Sequence, residues 1–130
     1  MKFLVVDDDL TSQIVFKKIL ERAGHEAVCA GDGLEALAML REGMFDAVFM
    51  DIKMPMMDGL QATHAIRAGK AGQDKTNIPI IALTAYAMPG DREKFIAAGM
   101  NHYLAKPVGE LEFSMAIIRA KQLVALFHPA

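Results

Sequence analysis

The stretch FLVVDDD, residues 3–9, places four apolar residues directly before three carboxylates. Short, continuously apolar runs are typical of parallel strands, which helices cover on both faces. Three further runs of this kind end at polar residues, namely Asp51, Thr84 and Lys106. Because parallel strands end along one edge of their sheet, where open α/β sheets place their sites, we predict one pocket that holds carboxylates, a hydroxyl and an amine.

The rest of the chain alternates apolar runs with segments of helical periodicity. We predict strands at about 3–6, 26–30, 46–50, 79–83 and 102–105. Helices follow each of them, and the last helix covers about residues 110–127. Five strands alternating with five helices through short connections predict an α/β fold, a doubly wound five-stranded parallel sheet.

Several helix details are also predicted from local signals. Asp9 is expected to cap the first helix, and Gly24 to end it in the left-handed conformation. Pro89 is expected in the first turn of the fourth helix, where its missing amide proton costs little. The second helix is predicted to bury three residues, Leu34, Leu37 and Ala38.

Length and composition favour one compact domain. The chain has 130 residues, of which 53% are hydrophobic and 23% are charged, and its net charge is -2. Interspersed charges without a basic stripe argue against direct nucleic-acid binding and against a membrane surface. The apolar run after Lys2 is too short for a secretory segment, and the single Cys29 cannot form an internal disulfide and is predicted to be a buried, inert thiol. A cytoplasmic location is therefore expected.

Four segments, taken together, resemble the receiver domain of bacterial two-component response regulators. They are LVVDD at residues 4–8, MDIKMPMMDG at residues 50–59, LTA at residues 83–85 and YLAKP at residues 103–107. The segments stand in the family's order and approximate spacing, and the resemblance covers almost the whole chain. It implies a single receiver domain over residues 1–130, with the flavodoxin-like strand order 2-1-3-4-5.

The resemblance also implies a phosphoacceptor and a metal site. Asp51 would accept the phosphoryl group, and Asp8 would be a direct ligand of Mg²⁺. Asp7 would support the metal through water, and Lys53 would contribute its backbone carbonyl. Mg²⁺ suits such a site because it prefers hard oxygen ligands and retains several waters.

Further residues acquire roles by the same resemblance. Thr84 and Lys106 would contact the phosphoryl oxygens, with a cis peptide bond between Lys106 and the proline that follows it. Tyr103 would rotate with the phosphorylated state. Lys53 and Tyr86 are expected to tune the chemistry, Tyr86 by shielding the acyl phosphate from water.

The implied function is a phosphorylation-dependent signalling switch. It would take its phosphoryl group from a histidine kinase or phosphotransfer protein and would catalyse only its own phosphorylation and dephosphorylation. Its output would pass through helix 4, strand 5 and helix 5 to a downstream protein or output domain, and a homodimer through the same surface remains open. The chain departs from the family in its long loop over residues 68–77 and its apolar tail.

Two other functions are compatible with parts of the sequence. Residues 7–11 also match the Asp-x-Asp-x-Thr motif of haloacid-dehalogenase-like phosphatases, in which Asp7 would be the nucleophile and Asp9 the acid/base. That family is usually longer, and it leaves residues 51–59 unexplained. A flavodoxin-like electron carrier would share the fold class, but no loop rich in serine, threonine and glycine follows the first strand to hold a flavin phosphate.

The remaining methionines, histidines and apolar residues are expected to have mainly structural roles. Met54, Met56 and Met57 are expected to pack within their loop, and the four histidines lack the spacing of a metal site. The last helix is apolar on more than one face, so that packing on a partner and simple core burial both remain open. The residues that give it this character are Phe113, Ile117, Ile118, Val124 and Phe127.

Overall fold

The computed structural model describes residues 1–85 and 88–127. Its strands are β1 (Lys2–Val6), β2 (Glu26–Ala30), β3 (Ala47–Asp51), β4 (Ile80–Thr84) and β5 (His102–Ala105). Its α-helices are α1 (Leu10–Arg22), α2 (Gly33–Glu42), α3 (Gly59–Arg67), α4 (Asp91–Ala98) and α5 (Glu110–Phe127). A 3₁₀ turn, Gln73–Lys75, interrupts the loop after α3. The predicted alternation of strands and helices is confirmed.

All five strands form one parallel sheet in the order β2-β1-β3-β4-β5, as predicted. The register sets Asp51 opposite Leu83, and Thr84 opposite Ala105. Both Asp51 and Thr84 are thus the last residues of their strands, whereas the sequence placed them one residue beyond the strand. This register brings the polar strand ends to the same edge of the sheet.

The core lies on both faces of the sheet. Alternate residues of β1 point to opposite faces, with Leu4 and Val6 toward α2 and α3, and Phe3 and Val5 toward α1 and α5. The second face holds a chain of aromatic rings whose centroids lie 4.6 to 5.5 Å apart, formed by Phe3, Phe16, Phe49 and Phe113. Every residue of β3 and β4 is buried, as expected of strands covered on both sides.

Two predictions on helix faces and ends are wrong. The buried residues of α2 are Gly33, Ala36, Leu37 and Leu40, whereas Leu34 is 46% exposed and Ala38 is also exposed. The buried stripe follows positions i, i+3, i+4 and i+7 from Gly33, and Leu34 is turned about 100° away from it. Pro89 precedes α4, because Gly90 takes a positive φ of 92° and the helix begins only at Asp91.

The cap predictions at α1 are confirmed. The Asp9 carboxylate accepts a hydrogen bond from the Thr11 amide at 3.2 Å, and Gly24 has a φ of 88°. Cys29 is half-buried and not fully buried as predicted, but burial raises the pKa of its thiol, as expected of an unreactive side chain. No helix in the described ranges is long and apolar enough to cross a bilayer.

The methionines of the loop after β3 and the apolar residues of α5 each divide into buried and exposed members. Met54 and Met57 pack against the core, whereas Met56 is exposed. On α5, Phe113 and Ile117 are buried and Val124 is half-buried. By contrast, Ile118 is 56% exposed and Met115 is 61% exposed. The last helix therefore contributes to the core and also presents a second apolar face.

Arg67 joins the end of α3 to two other parts of the chain. Its guanidinium donates to the carbonyls of Gly99 at 2.9 Å, Thr76 at 2.8 Å and Ile78 at 2.7 Å, and to Asn101 Oδ1 at 3.0 Å. These acceptors lie in the loop before β4 and in the turn between α4 and β5. One side chain thus holds the long loop and that turn together.

We expect Arg67→Met to lower the free energy of unfolding by about 2 to 4 kcal/mol, because four partly buried hydrogen bonds from the guanidinium are lost. Urea denaturation would measure the change. The matched control is Arg41→Met, since Arg41 is exposed and its Nε donates to the single carbonyl of Lys70. The control should cost less than about 1 kcal/mol; equal losses in the two variants would contradict this role of Arg67.

Candidate functional site

Three carboxylates meet where β1 and β3 end. Asp7 follows β1 and is fully buried, Asp51 ends β3 and is 6% exposed, and Asp8 is exposed. An oxygen from each lies within 4.8 Å of the others. Within the described ranges, this is the one group of three or more acidic, histidine or cysteine side chains close enough to share a metal ion. The set consists only of hard oxygen donors, which suits a divalent cation such as Mg²⁺.

The backbone around Asp7 fixes the first carboxylate. Its Oδ1 accepts a hydrogen bond from the Asp9 amide at 2.9 Å, and its amide donates to the Ala30 carbonyl at 3.0 Å. Gln13 Nε2 donates to the Asp7 carbonyl at 2.7 Å. Gln13 was not among the candidate residues from sequence, and its only signal is a polar residue one turn into a helix that follows the carboxylates.

Lys106 brings a positive charge to the carboxylates. Its Nζ lies 3.0 Å from Asp7 Oδ2 and 3.4 Å from Asp51 Oδ2, and its amide donates to the Thr84 carbonyl at 2.7 Å. The predicted cis bond between Lys106 and Pro107 is present. Burial lowers the pKa of the Lys106 ammonium, but the hydrogen bond to Asp7 and the two carboxylate charges outweigh it and raise the pKa. The ammonium therefore stays charged beside both carboxylates.

Thr84 and Tyr103 occupy neighbouring strands. Thr84 ends β4 and is 1% exposed, so its hydroxyl lies under the surface at the same edge as Asp51. Tyr103 is half-buried on β5, and its ring centroid lies 5.9 Å from that of Phe95 on α4. The structure thus brings Thr84 to the edge that carries the carboxylates, and sets Tyr103 against α4.

The loop between β3 and α3 leaves the carboxylate edge directly after Asp51. The Gly59 amide donates to the Ile52 carbonyl at 2.8 Å, and the Asp58 side chain caps α3 by accepting from the Gln61 amide at 2.8 Å. A Cβ on Gly59 would collide with the Asp51 carbonyl, so only glycine permits this approach. Lys53 is exposed on the loop, and Tyr86 lies outside the described residues.

The arrangement of Asp7, Asp8, Asp51, Thr84 and Lys106 at one sheet edge agrees with a comparison of the sequence with protein families. Residues 3–118 match the family described as the response regulator receiver domain. The chain belongs to this family. The resemblance to the receiver domain of two-component signalling, which was drawn from four segments of the sequence, is therefore confirmed.

Two relatives differ in how much of their own length this chain covers. The chain is 38% identical over 129 residues to sensor protein GacS of Pseudomonas syringae, covering 99% of this chain and 14% of that protein. It is 34% identical over 110 residues to the polar-differentiation response regulator DivK of Brucella ovis, covering 85% of this chain and 87% of DivK. The chain thus spans about one seventh of the length of the sensor protein and most of the length of DivK.

A solved receiver supports the interpretation of the acidic cluster. The receiver domain of sensor histidine kinase PA1611 from Pseudomonas aeruginosa is 35% identical, with a TM-score of 0.82 over 95% of this chain and 97% of that one. That structure holds a magnesium ion coordinated in the active site cleft. The receiver described here presents three carboxylates that could hold a cation of the same kind.

The electrostatics of this receiver centre on Asp51. Burial, followed by the charge of Asp7, raises the pKa of Asp51 from 3.8 to about 6, against the opposing effect of Lys106. The folded protein therefore binds a proton at Asp51 more tightly than the unfolded chain does. This contribution to stability is complete below pH 3.8 and is lost as the pH rises through 6.

We therefore expect Asp51→Asn to raise the free energy of unfolding of the metal-free receiver by about 2 kcal/mol at pH 7.5. The gain should shrink as the pH falls through 6 and vanish near pH 4, because the native carboxyl is then protonated. Denaturation in EDTA across this pH range would measure it. Glu42→Gln, at an exposed carboxylate of α2, is the control and should show no such trend. A gain that is independent of pH would contradict the assignment.

Proposed function

We propose that this receiver is a phosphorylation-dependent switch in which Asp51 accepts a phosphoryl group from a histidine kinase or a phosphotransfer protein. The observation that carries the proposal is the position of the Asp51 carboxylate, which lies 3.4 Å from the Lys106 ammonium and within 4.8 Å of Asp7 and Asp8. Residues 1–130 would act as a single receiver domain. The switch would catalyse only its own phosphorylation and dephosphorylation.

The reaction requires a nucleophile and compensation for negative charge. Asp51 is mostly ionised at pH 7, since its pKa is about 6 in the absence of a cation. A carboxylate oxygen would form a bond to phosphorus while the bond from phosphorus to the donor imidazole nitrogen breaks, and the imidazole would take up a proton. In this proposal the Lys106 ammonium and the Thr84 hydroxyl would contact oxygens of the transferring group.

The proposed cofactor is Mg²⁺, held by Asp8 and Asp51, with Asp7 supporting it through water and Lys53 giving its backbone carbonyl. When bound, Mg²⁺ would offset charge on the oxygens of the transferring group. The all-oxygen donor set fits this ion, and mutual repulsion of the carboxylates favours the binding of a divalent cation. Tuning of the chemistry by Lys53 and Tyr86 remains a prediction.

The phosphatase alternative is disfavoured by the contacts of its two required carboxylates. Asp7 is fully buried and is bonded to the Asp9 amide and to Lys106. Asp9 caps α1, where its carboxylate accepts from the Thr11 amide and the Ser12 hydroxyl, rather than facing a substrate as an acid/base. The electron-carrier alternative is disfavoured by the family to which the chain belongs.

Intact mass after incubation with acetyl phosphate and Mg²⁺ tests the proposal. The native protein should gain one phosphoryl group, and the gain should disappear in Asp51→Asn and in EDTA. Asp74→Asn, which changes an exposed carboxylate away from the site, should behave as the native protein does. Phosphorylation that persists in Asp51→Asn but is lost in Asp7→Asn would overturn the proposal in favour of the phosphatase.

The output of the switch would involve Thr84 and Tyr103. A phosphoryl group adds about 1.5 to 2 negative charges at the sheet edge, which would attract the Thr84 hydroxyl. A shift of Thr84 would free space for the Tyr103 ring and so change the surface formed by α4, β5 and α5. On this surface an apolar groove lies between β5 and α5, lined by Leu104, Met115 and Ile118 among others.

The apolar groove favours a protein as the target of the switch. We propose a downstream protein or output domain, with a homodimer through the same surface as the alternative. Direct nucleic-acid binding and membrane binding are not part of the proposal, in keeping with the net charge of -2. The cytoplasmic location remains a prediction.

Tyrosine fluorescence can follow the proposed movement, because the chain has two tyrosines and no tryptophan. In a Tyr86→Phe background, Tyr103 is the single tyrosine, and beryllium fluoride with Mg²⁺ serves as the phosphoryl mimic. Quenching of Tyr103 by acrylamide should decrease when the mimic is added, because the ring moves inward. The same protein carrying Asp51→Asn should not respond. Unchanged quenching in a protein that binds the mimic would contradict the role of Tyr103.

A further inference from the structure

The loop that leaves the carboxylate edge rests on the first residue of α2. This loop, residues 52–58, contacts Gly33, whose amide donates to the Met57 carbonyl at 3.1 Å. The first amides of a helix have no partner within the helix, so Met57 satisfies one of the free donors of α2. The start of α2 and the loop after Asp51 are thus joined by a direct backbone hydrogen bond.

The contact leaves no space for a side chain at Gly33. A Cβ there would lie 2.7 Å from the Met57 carbonyl oxygen, 2.8 Å from its Cγ and 3.0 Å from its Cβ. Gly33 is not among the residues with positive φ, so its own backbone conformation does not require glycine. The absence of a side chain at Gly33 therefore allows Met57 to lie this close to α2.

Local hydrogen bonds restrict movement on both sides of the contact. The Asp32 side chain accepts from the Glu35 amide at 2.8 Å, and the Glu35 carboxylate accepts from the Gly31 amide at 3.0 Å. In the loop, the Met57 amide donates to the Pro55 carbonyl at 2.7 Å. A group inserted between these two surfaces would therefore displace one of them.

We propose that Gly33 is a positioning residue for the phosphoacceptor site, because the start of α2 sets the place of the loop that follows Asp51. The loop leaves the site at Ile52, whose carbonyl accepts from Gly59, so that an outward shift at Met57 moves backbone directly beside the carboxylates. The ligand affected is a divalent cation. This inference rests on the proposed function, and it assigns a role to a helix that contributes no side chain to the site.

The test compares Gly33→Ala with Gly31→Ala. Alanine favours a helix over glycine, so Gly33→Ala would stabilise α2 if the contact with Met57 were absent. A Cβ at Gly31 would come no closer than 3.4 Å to the Glu35 carboxylate, which makes this substitution a matched control. Titration calorimetry with Mg²⁺ should show affinity about tenfold weaker in Gly33→Ala, a typical effect of disturbing the surroundings of a metal site. Gly31→Ala should bind as the native protein does.

Hydrogen exchange of the amides of residues 53, 54 and 56–58 in EDTA gives a readout that does not need the cation. Exchange should be faster in Gly33→Ala than in the native protein and in Gly31→Ala, with the β1 amides unchanged as the internal reference. Adding Met57→Ala to Gly33→Ala removes the contact with Cγ but leaves those with the carbonyl oxygen and Cβ. The combined variant should therefore recover only part of the native exchange.

The outcomes separate this inference from the proposed function. Equal Mg²⁺ affinity in the native protein and Gly33→Ala would overturn the positioning role. A native protein that binds no Mg²⁺ would overturn the proposed metal site, and the exchange data would then decide on Gly33. In that case, unchanged exchange in Gly33→Ala would overturn the positioning role, and faster exchange confined to the loop would support it.

Discussion

Repulsion among Asp7, Asp8 and Asp51 is the constraint on which the organisation of this receiver depends. Two of the three carboxylates are buried, and Lys106 lies within 3.4 Å of both. A buried carboxylate without compensation is costly, and here a single ammonium compensates two of them. The carboxylates at this edge therefore lower the free energy of unfolding. The packed aromatic rings and the fully buried strands elsewhere offset this loss.

The elements that could be predicted from the sequence are those with strong local signals. β3 and β4 are continuous apolar runs that end at a polar residue, and parallel pairing then fixes which ends meet. That logic places Asp51, Thr84 and Lys106 at one edge without any structure. The order of the strands came instead from the resemblance to receiver domains, because alternation of strands and helices does not determine which strands are neighbours.

The features that the sequence did not reveal depend on contacts between distant parts of the chain. Leu34 looked like a buried residue because it is apolar, but the buried face of α2 is the one that packs against the sheet, and Leu34 lies outside it. The side chain of Gln13 donates to the backbone carbonyl of Asp7, and none of the sequence motifs indicates this contact. Gly33 has an ordinary helical backbone, and only the approach of Met57 explains the lack of a side chain. Local propensity carries no information about such partners.

The manner in which Arg67 holds the loop before β4 bears on how receivers of this kind can diversify. Of its four acceptors, three are main-chain carbonyls, and two of these belong to Thr76 and Ile78 in the loop itself. Every amino acid supplies such a carbonyl, so substitutions at these two positions keep the acceptors that Arg67 uses. The surface of the loop can therefore acquire new recognition properties over evolution while its path across the protein is maintained.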